Sequence, residues 1–167
     1  MRRIHLNLIS RSVQATKKMG KELGQVLPPG SILALEGDLG SGKTVFVQGL
    51  AAGLKVRDLK AVRSPTFSLI QEHRGAINLC HVDLYRISAL EAMNLGLEEY
   101  WKDGAEVRKG KWVLAIEWAE KARNFVPSGN HPQSALEIHF EHVETKQRKV
   151  TFSGSARWSG ILNLWKR

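Results

Sequence analysis

One segment limits this chain more than any other: Gly37-Asp38-Leu39-Gly40-Ser41-Gly42-Lys43-Thr44, a G-x-x-x-x-G-K-T pattern. The apolar run Ile32 to Leu35 precedes it and reads as a buried strand. Val45, Phe46, Leu50 and Leu54 follow at helical spacing, so a helix is expected from Lys43 to about Gly53. Strand, tight loop and helix are the setting in which this pattern binds phosphate. Gly37, Gly40 and Gly42 lack a Cβ, so the backbone can turn sharply and approach an anion closely. Successive N–H groups then point inward as a nest. The helix N-terminus adds partial positive charge. Lys43 is expected to face the β- and γ-phosphates rather than pack, and the Thr44 hydroxyl to reach Mg²⁺.

The remaining elements are read around that centre. Ile4 to Ile9 alternates like a strand, and Ser10 or Ser12 is placed to cap a helix running to about Val26. Val13, Met19, Leu23 and Val26 form its apolar side. Pro28-Pro29-Gly30 ends it. Lys55 to Arg63 reads as a basic loop. Phe67 to Glu72 and Ala76 to Val82 are strand-like runs around Arg74-Gly75, which predicts a hairpin. Ser88-Ala89-Leu90-Glu91 is a capping box, and Leu97 to Trp101 a further turn ended by Asp103-Gly104. Trp112 to Ile116 is the strongest strand signal outside the loop strand, and it delivers Glu117-Trp118. Leu136, Ile138 and Phe140, then Val150 and Phe152, alternate with polar residues about Thr145-Lys146-Gln147, predicting a second hairpin with one wet face. Early strand–helix alternation and late alternating runs give an α/β fold, P-loop NTPase-like, with a largely parallel central sheet and added antiparallel hairpins. The domain is expected over residues 1–154, and 155–167 as a basic amphipathic tail carrying Trp158, Ile161, Leu162 and Trp165.

Charge adds a second constraint. The net charge is +9, and it is unevenly placed. Six basic residues precede Glu22 and six follow Glu144, with no acid among either set. If both ends share a face, that face attracts a polyanion; the plainer reading is a soluble basic surface. Cys80 is the sole cysteine, which excludes an internal disulfide and a cysteine metal cluster. No apolar run approaches membrane-spanning length, and Met1-Arg2-Arg3 leads into a strand pattern rather than a signal peptide, so a cytoplasmic protein is expected.

Four blocks together carry a family resemblance: the loop Gly37 to Thr44, Ser64-Pro65-Thr66-Phe67, His81-Val82-Asp83-Leu84-Tyr85-Arg86 and Ile116-Glu117-Trp118. In their order and spacing they resemble the TsaE (YjeE) family, ATPases needed to make threonylcarbamoyladenosine in tRNA. The resemblance runs from about Ile4 to Phe152. It implies ATP and Mg²⁺ as cofactors and TsaD-like and TsaB-like proteins as partners, with hydrolysis driving a conformational or reset step. It implies that Thr66 sits in a switch-like loop sensing the γ-phosphate or Mg²⁺. Asp83 matches an acid near the phosphates. Glu117 matches a metal-side acid, which either reaches Mg²⁺ or orients the attacking water. Lys43, Asp83 and Glu117 are thus the catalytic candidates. Trp118 either stacks on a base or partner or simply packs. Tyr85 and Arg86 hold the Asp83 loop, or touch RNA or a partner. His81 reads as structural rather than as a base, and Cys80 as a small buried hydrophobe. Ala119 stands where many relatives carry proline, and the tail from Ser155 matches no family motif.

Two other functions share the phosphate loop. Small-molecule kinases usually carry an arginine-rich lid and an acceptor pocket, and the arginines here are scattered, with no such lid apparent. A GTPase needs a guanine-reading N-K-x-D run, which the sequence lacks.

Overall fold

Seven strands share one sheet in the order β1-β7-β6-β2-β5-β4-β3. They are β1 (Ile4–Ser10), β2 (Ile32–Gly37), β3 (Ile70–His73), β4 (Asn78–Asp83), β5 (Trp112–Glu117), β6 (Leu136–Glu144) and β7 (Gln147–Gly154). The computed structural model describes residues 3–101, 111–129, 131 and 134–166. Arg2, Arg167 and the expected Asp103-Gly104 stop lie outside the described residues. The four central strands, β6, β2, β5 and β4, are parallel; β3, β7 and β1 add antiparallel edges. The fold is therefore α/β and P-loop NTPase-like, and both expected hairpins are present, β3–β4 and β6–β7.

Parallel strands need cover on both faces, and the side chains divide accordingly. Leu33 and Leu35 of β2 and Val113 and Ala115 of β5 enter one core. Ile32, Ala34, Leu114 and Ile116 enter the other. The first core is closed by α1 (Val13–Val26) and α2 (Lys43–Gly53), and the second by α3 (Ala89–Met93) with its neighbouring 3-10 turns. Leu136, Ile138 and Phe140 alternate with less buried residues along β6, so the second hairpin does keep one wet face. Trp158 and Leu162 of the tail are buried in the first core, around the single helical turn α4 (Ser159–Leu162). Trp165 stacks on Phe152 with ring centroids 4.7 Å apart, and its Nε1–H donates to Glu22.

Two expectations need correction. The buried side of α1 is Thr16, Gly20, Leu23 and Gly24; Val13 and Val26 are exposed. Glycine replaces bulk because the backbones of α1 and α2 touch. A Cβ on Gly20 would overlap the Phe46 carbonyl oxygen, and one on Gly49 the Lys17 carbonyl oxygen. The second correction concerns β3, which begins at Ile70 rather than Phe67. The Leu69 N–H donates to Pro65 O, Leu69 takes a left-handed φ of 62°, and Phe67 is 88% exposed. Thr66 to Leu69 therefore forms a turn.

Candidate functional site

The carboxyl ends of β2, β4 and β5 lie side by side, which is where open α/β sheets bind ligands. β2 runs into the glycine-rich loop. Gly37, Gly40 and Gly42 all have positive φ, at 140°, 73° and 109°. These are conformations that other residues adopt only with strain, so the loop depends on its glycines. α2 then starts at Lys43, as its spacing predicts. Asp83 ends β4 and Glu117 ends β5, paired in register. Loop and acids enclose a cavity of about 390 Å³, lined also by Leu39, Ser64, Thr66, Tyr85 and Trp118.

Within it the polar groups are bonded to one another. The Thr44 hydroxyl lies 2.9 and 3.0 Å from the two carboxylate oxygens of Glu117. His81 Nε2 lies 2.8 Å from Glu117 Oε1, with both residues buried. Ser64 Oγ donates to Asp83 Oδ2 and sits 3.2 Å from the Thr66 hydroxyl. The Tyr85 backbone N–H donates to Asp83 Oδ1 at 2.9 Å. Lys121 Nζ donates to the carbonyls of Leu84, Tyr85 and Ile87, fastening the chain beyond Asp83.

Lys43 departs from expectation. It is 4% exposed. Its Nζ donates to Gly37 O at 2.5 Å and Asp38 O at 2.9 Å, and stands 4.2 Å from the Trp118 ring centroid. Backbone carbonyls of its own loop occupy the ammonium because they are the acceptors within reach. Burial lowers its pKa below the ordinary lysine value, while Glu117, Glu120, Asp83 and Asp38 pull the other way. A nearby anion would reinforce those carboxylates.

Lys43, Thr44, Thr66, Asp83 and Glu117 are thus brought to one cavity, with Gly40, Ser41 and Gly42 on its wall. Trp118, at φ 59°, both lines it and stacks on Tyr85, with ring centroids 4.8 Å apart. Arg86 turns outward, its guanidinium 5.0 Å from the centre of the Phe67 ring. The direct contact of His81 with Glu117 goes beyond the structural part read for it from sequence. The signal was the alternation of a strand: His81 is two residues before Asp83, hence on the same face. Ser64 carried no such signal, because its contact with Asp83 spans two elements.

Similar proteins share this framework. The crystal structure of YdiB from Bacillus subtilis superposes with a TM-score of 0.76 and 28% identity, covering 100% of this chain and 97% of that one. A protein named tRNA threonylcarbamoyladenosine biosynthesis protein TsaE in Nostoc sp. is 47% identical over 109 residues, 65% of this chain and 64% of its own length. The protein of that name in Bacillus subtilis is 36% identical over 141 residues, 84% of this chain and 80% of its own. The profile described as "Threonylcarbamoyl adenosine biosynthesis protein TsaE" matches residues 10–150. With four-fifths of the chain under that profile and the four motif blocks inside the match, this protein belongs to the TsaE family of tRNA threonylcarbamoyladenosine biosynthesis.

Proposed function

We propose that the chain is a Mg²⁺-dependent ATPase serving the threonylcarbamoyl modification of tRNA, at N6 of the adenosine next to the anticodon. It acts in the cytosol, and hydrolysis drives a conformational or reset step of an assembly with TsaD-like and TsaB-like proteins. The basic surface attracts the tRNA held by that assembly. The observation that carries the reading is the hydrogen bond from Thr44, in the first turn of α2, to Glu117 at the end of the neighbouring strand.

The donor set fits the cofactors. Among the described residues no three of His, Cys, Asp and Glu gather as a metal cluster. A hydroxyl with one or two carboxylates is instead the sparse oxygen set that suits Mg²⁺, whose remaining ligands are waters and phosphate oxygens. The metal, when bound, neutralises charge on the transferring phosphoryl group. The residues of the chain divide the rest. Backbone N–H groups from Gly40 to Thr44 receive phosphate oxygens. Lys43 leaves the Gly37 and Asp38 carbonyls for the β- and γ-phosphates. Thr44 and Glu117 take the metal side, with His81 holding Glu117 in place. Asp83 anchors Ser64, and through it the loop that offers Thr66 to the γ-phosphate.

The test is phosphate release from ATP and from GTP, with Mg²⁺ or with EDTA, for the chain alone and with TsaD-like and TsaB-like proteins. The reading expects ATP- and Mg²⁺-dependent release and ATP-sensitive capture of those partners. Phosphate found on a metabolite instead of in solution would make the protein a kinase.

A further inference from the structure

We propose that Arg148 is a ligand of the nucleotide phosphates, reaching the glycine-rich loop from β7, on the side away from Asp83 and Glu117. The inference rests on the ATPase reading above and adds a residue to its site. β2 has β5 and β4 on one flank and β6 and β7 on the other. The acids come from the first flank, and Arg148 comes from the second. Its backbone is fixed from both sides, paired with Ser10 of β1 and with His142 of β6. From there its side chain lies against the loop. A Cβ built on Gly42 would stand 3.7 Å from both Cδ and Nε of Arg148, and 3.6 Å from Thr16 Cγ2. Gly42 is the residue that opens α2, so Arg148 Nε stands beside the loop at the point where the helix begins, just outside the cavity wall.

The charge there is unanswered. Among the described residues the Arg148 side chain makes no hydrogen bond and no ion pair, although it is only partly exposed. The acids nearest in the hairpin are engaged elsewhere. Lys149 Nζ lies 3.1 Å from Glu141, and Gln147 Nε2 donates to Glu144 at 3.0 Å. Sheltering a guanidinium without a counter-charge costs free energy. Its planar fork of donors matches phosphate oxygens better than any other side chain. Lys43 stands on the Trp118 side of the loop and Arg148 on its β7 side, so a bound phosphate chain would have a cation on either flank.

The experiment is calorimetric titration of the full chain with Mg-ATP, Mg-ADP and pyrophosphate, using wild type, Arg148→Ala and Arg148→Lys. Arg148→Ala should bind ATP roughly 10- to 100-fold more weakly, the size of one lost charge-assisted contact. Pyrophosphate should weaken in parallel, and melting should stay near wild type. Arg148→Lys should fall between, because it keeps the charge and loses the fork. It carries the test alone if the alanine variant does not fold. Equal ATP affinity in wild type and variants overturns the inference and leaves the ATPase reading standing. A loss for ATP with none for pyrophosphate moves the contact to the nucleoside and overturns the phosphate assignment. No ATP binding by wild type overturns both.

Discussion

Lys43 joins two roles in one side chain. Its Nζ bonds the carbonyls of Gly37 and Asp38, yet the proposed chemistry needs it on phosphate. Lys43→Ala should therefore abolish ATP hydrolysis and also weaken the loop. Two carbonyls losing a charged donor cost about 1–3 kcal/mol. At about 2–4 °C per kcal/mol for a chain of this size, the melting point should drop by several degrees without loss of the fold. Hydrolysis near wild type in the folded variant would remove Lys43 from the mechanism. Glu117→Gln separates binding from chemistry. The amide keeps the shape but gives up the negative charge, and it cannot accept through both oxygens from Thr44 and His81. Turnover should fall much more than ATP affinity. Collapse of binding with normal turnover per bound nucleotide would refute the assignment. Cys80 allows a test by pH. It is fully buried, and burial pushes its thiol up to about 12. The unfolded chain loses that proton near pH 9, the ordinary thiol value, so above pH 9 the unfolded state binds fewer protons than the folded one. This thiol's contribution to stability is complete below pH 9 and declines as pH rises from there towards 12. Chemical denaturation at pH 8 and pH 10.5 should show Cys80→Ala losing less stability between the two than wild type. Alkylation of the folded protein at pH 8 should be negligible.

At the scale of elements, the contact between α1 and α2 decides how firmly the loop is held. α2 begins in the site and lies on α1 through Gly49 and Gly53, facing Gly20 and Gly24. Alanine at Gly49 would gain about 1 kcal/mol of helix propensity. It would also drive a methyl into the Lys17 carbonyl oxygen, and backbone cannot rotate aside as a side chain can. Overpacking of that kind costs about 1–3 kcal/mol or more, so the net sign should be destabilising. A Gly49→Ala variant that melts higher than wild type would show that the helices are not in backbone contact. This contact was not legible in the sequence. Apolar periodicity pointed to Val13 and Val26, and both are exposed. Glycine at helical spacing reads as weakness until a second helix is known to approach. The loop, β5, the capping box at Ser88 and both hairpins were legible, because each is set by residues close together in the chain. The start of β3 was not. Phe67 and Leu69 alternate like a strand, but pairing with β4 begins only at Ile70 with Val82. In the site, Lys43, Thr44, Asp83 and Glu117 followed from motif and strand ends. The contacts that orient them, His81 on Glu117 and Ser64 on Asp83, join separate elements and required the fold.

At the scale of the molecule, the question is where the net charge of +9 is felt. The two basic ends do meet, since β1 pairs with β7. Part of their charge is answered there: Arg3 bonds Glu137 and Lys149 pairs with Glu141. The helix side is different. A groove of about 770 Å³ between α1, α2 and the turn Leu59–Ala61 is lined by Lys17, Lys18, Lys21, Lys60 and Arg63, with no acid on its wall. Among the described residues only Lys18 of this set makes an ion pair, with Glu22 at 3.7 Å. The expectation is that a polyanion such as tRNA is drawn to this groove. Reversing Lys17, Lys21 and Lys60 together to glutamate should weaken tRNA binding by the isolated chain. It should also flatten the dependence of affinity on salt by roughly two to three phosphate contacts. Basal ATP hydrolysis should be unchanged, because none of the three lines the cavity at the glycine-rich loop or stands against Gly42 as Arg148 does. The competing account gives the groove to an acidic protein surface. In that case the triple variant fails to capture TsaD-like and TsaB-like proteins, while tRNA binding, measured by titration at low salt, is absent from wild type and variant alike. Wild-type binding that persists undiminished in the variant would instead place the tRNA contact on the β1–β7 edge.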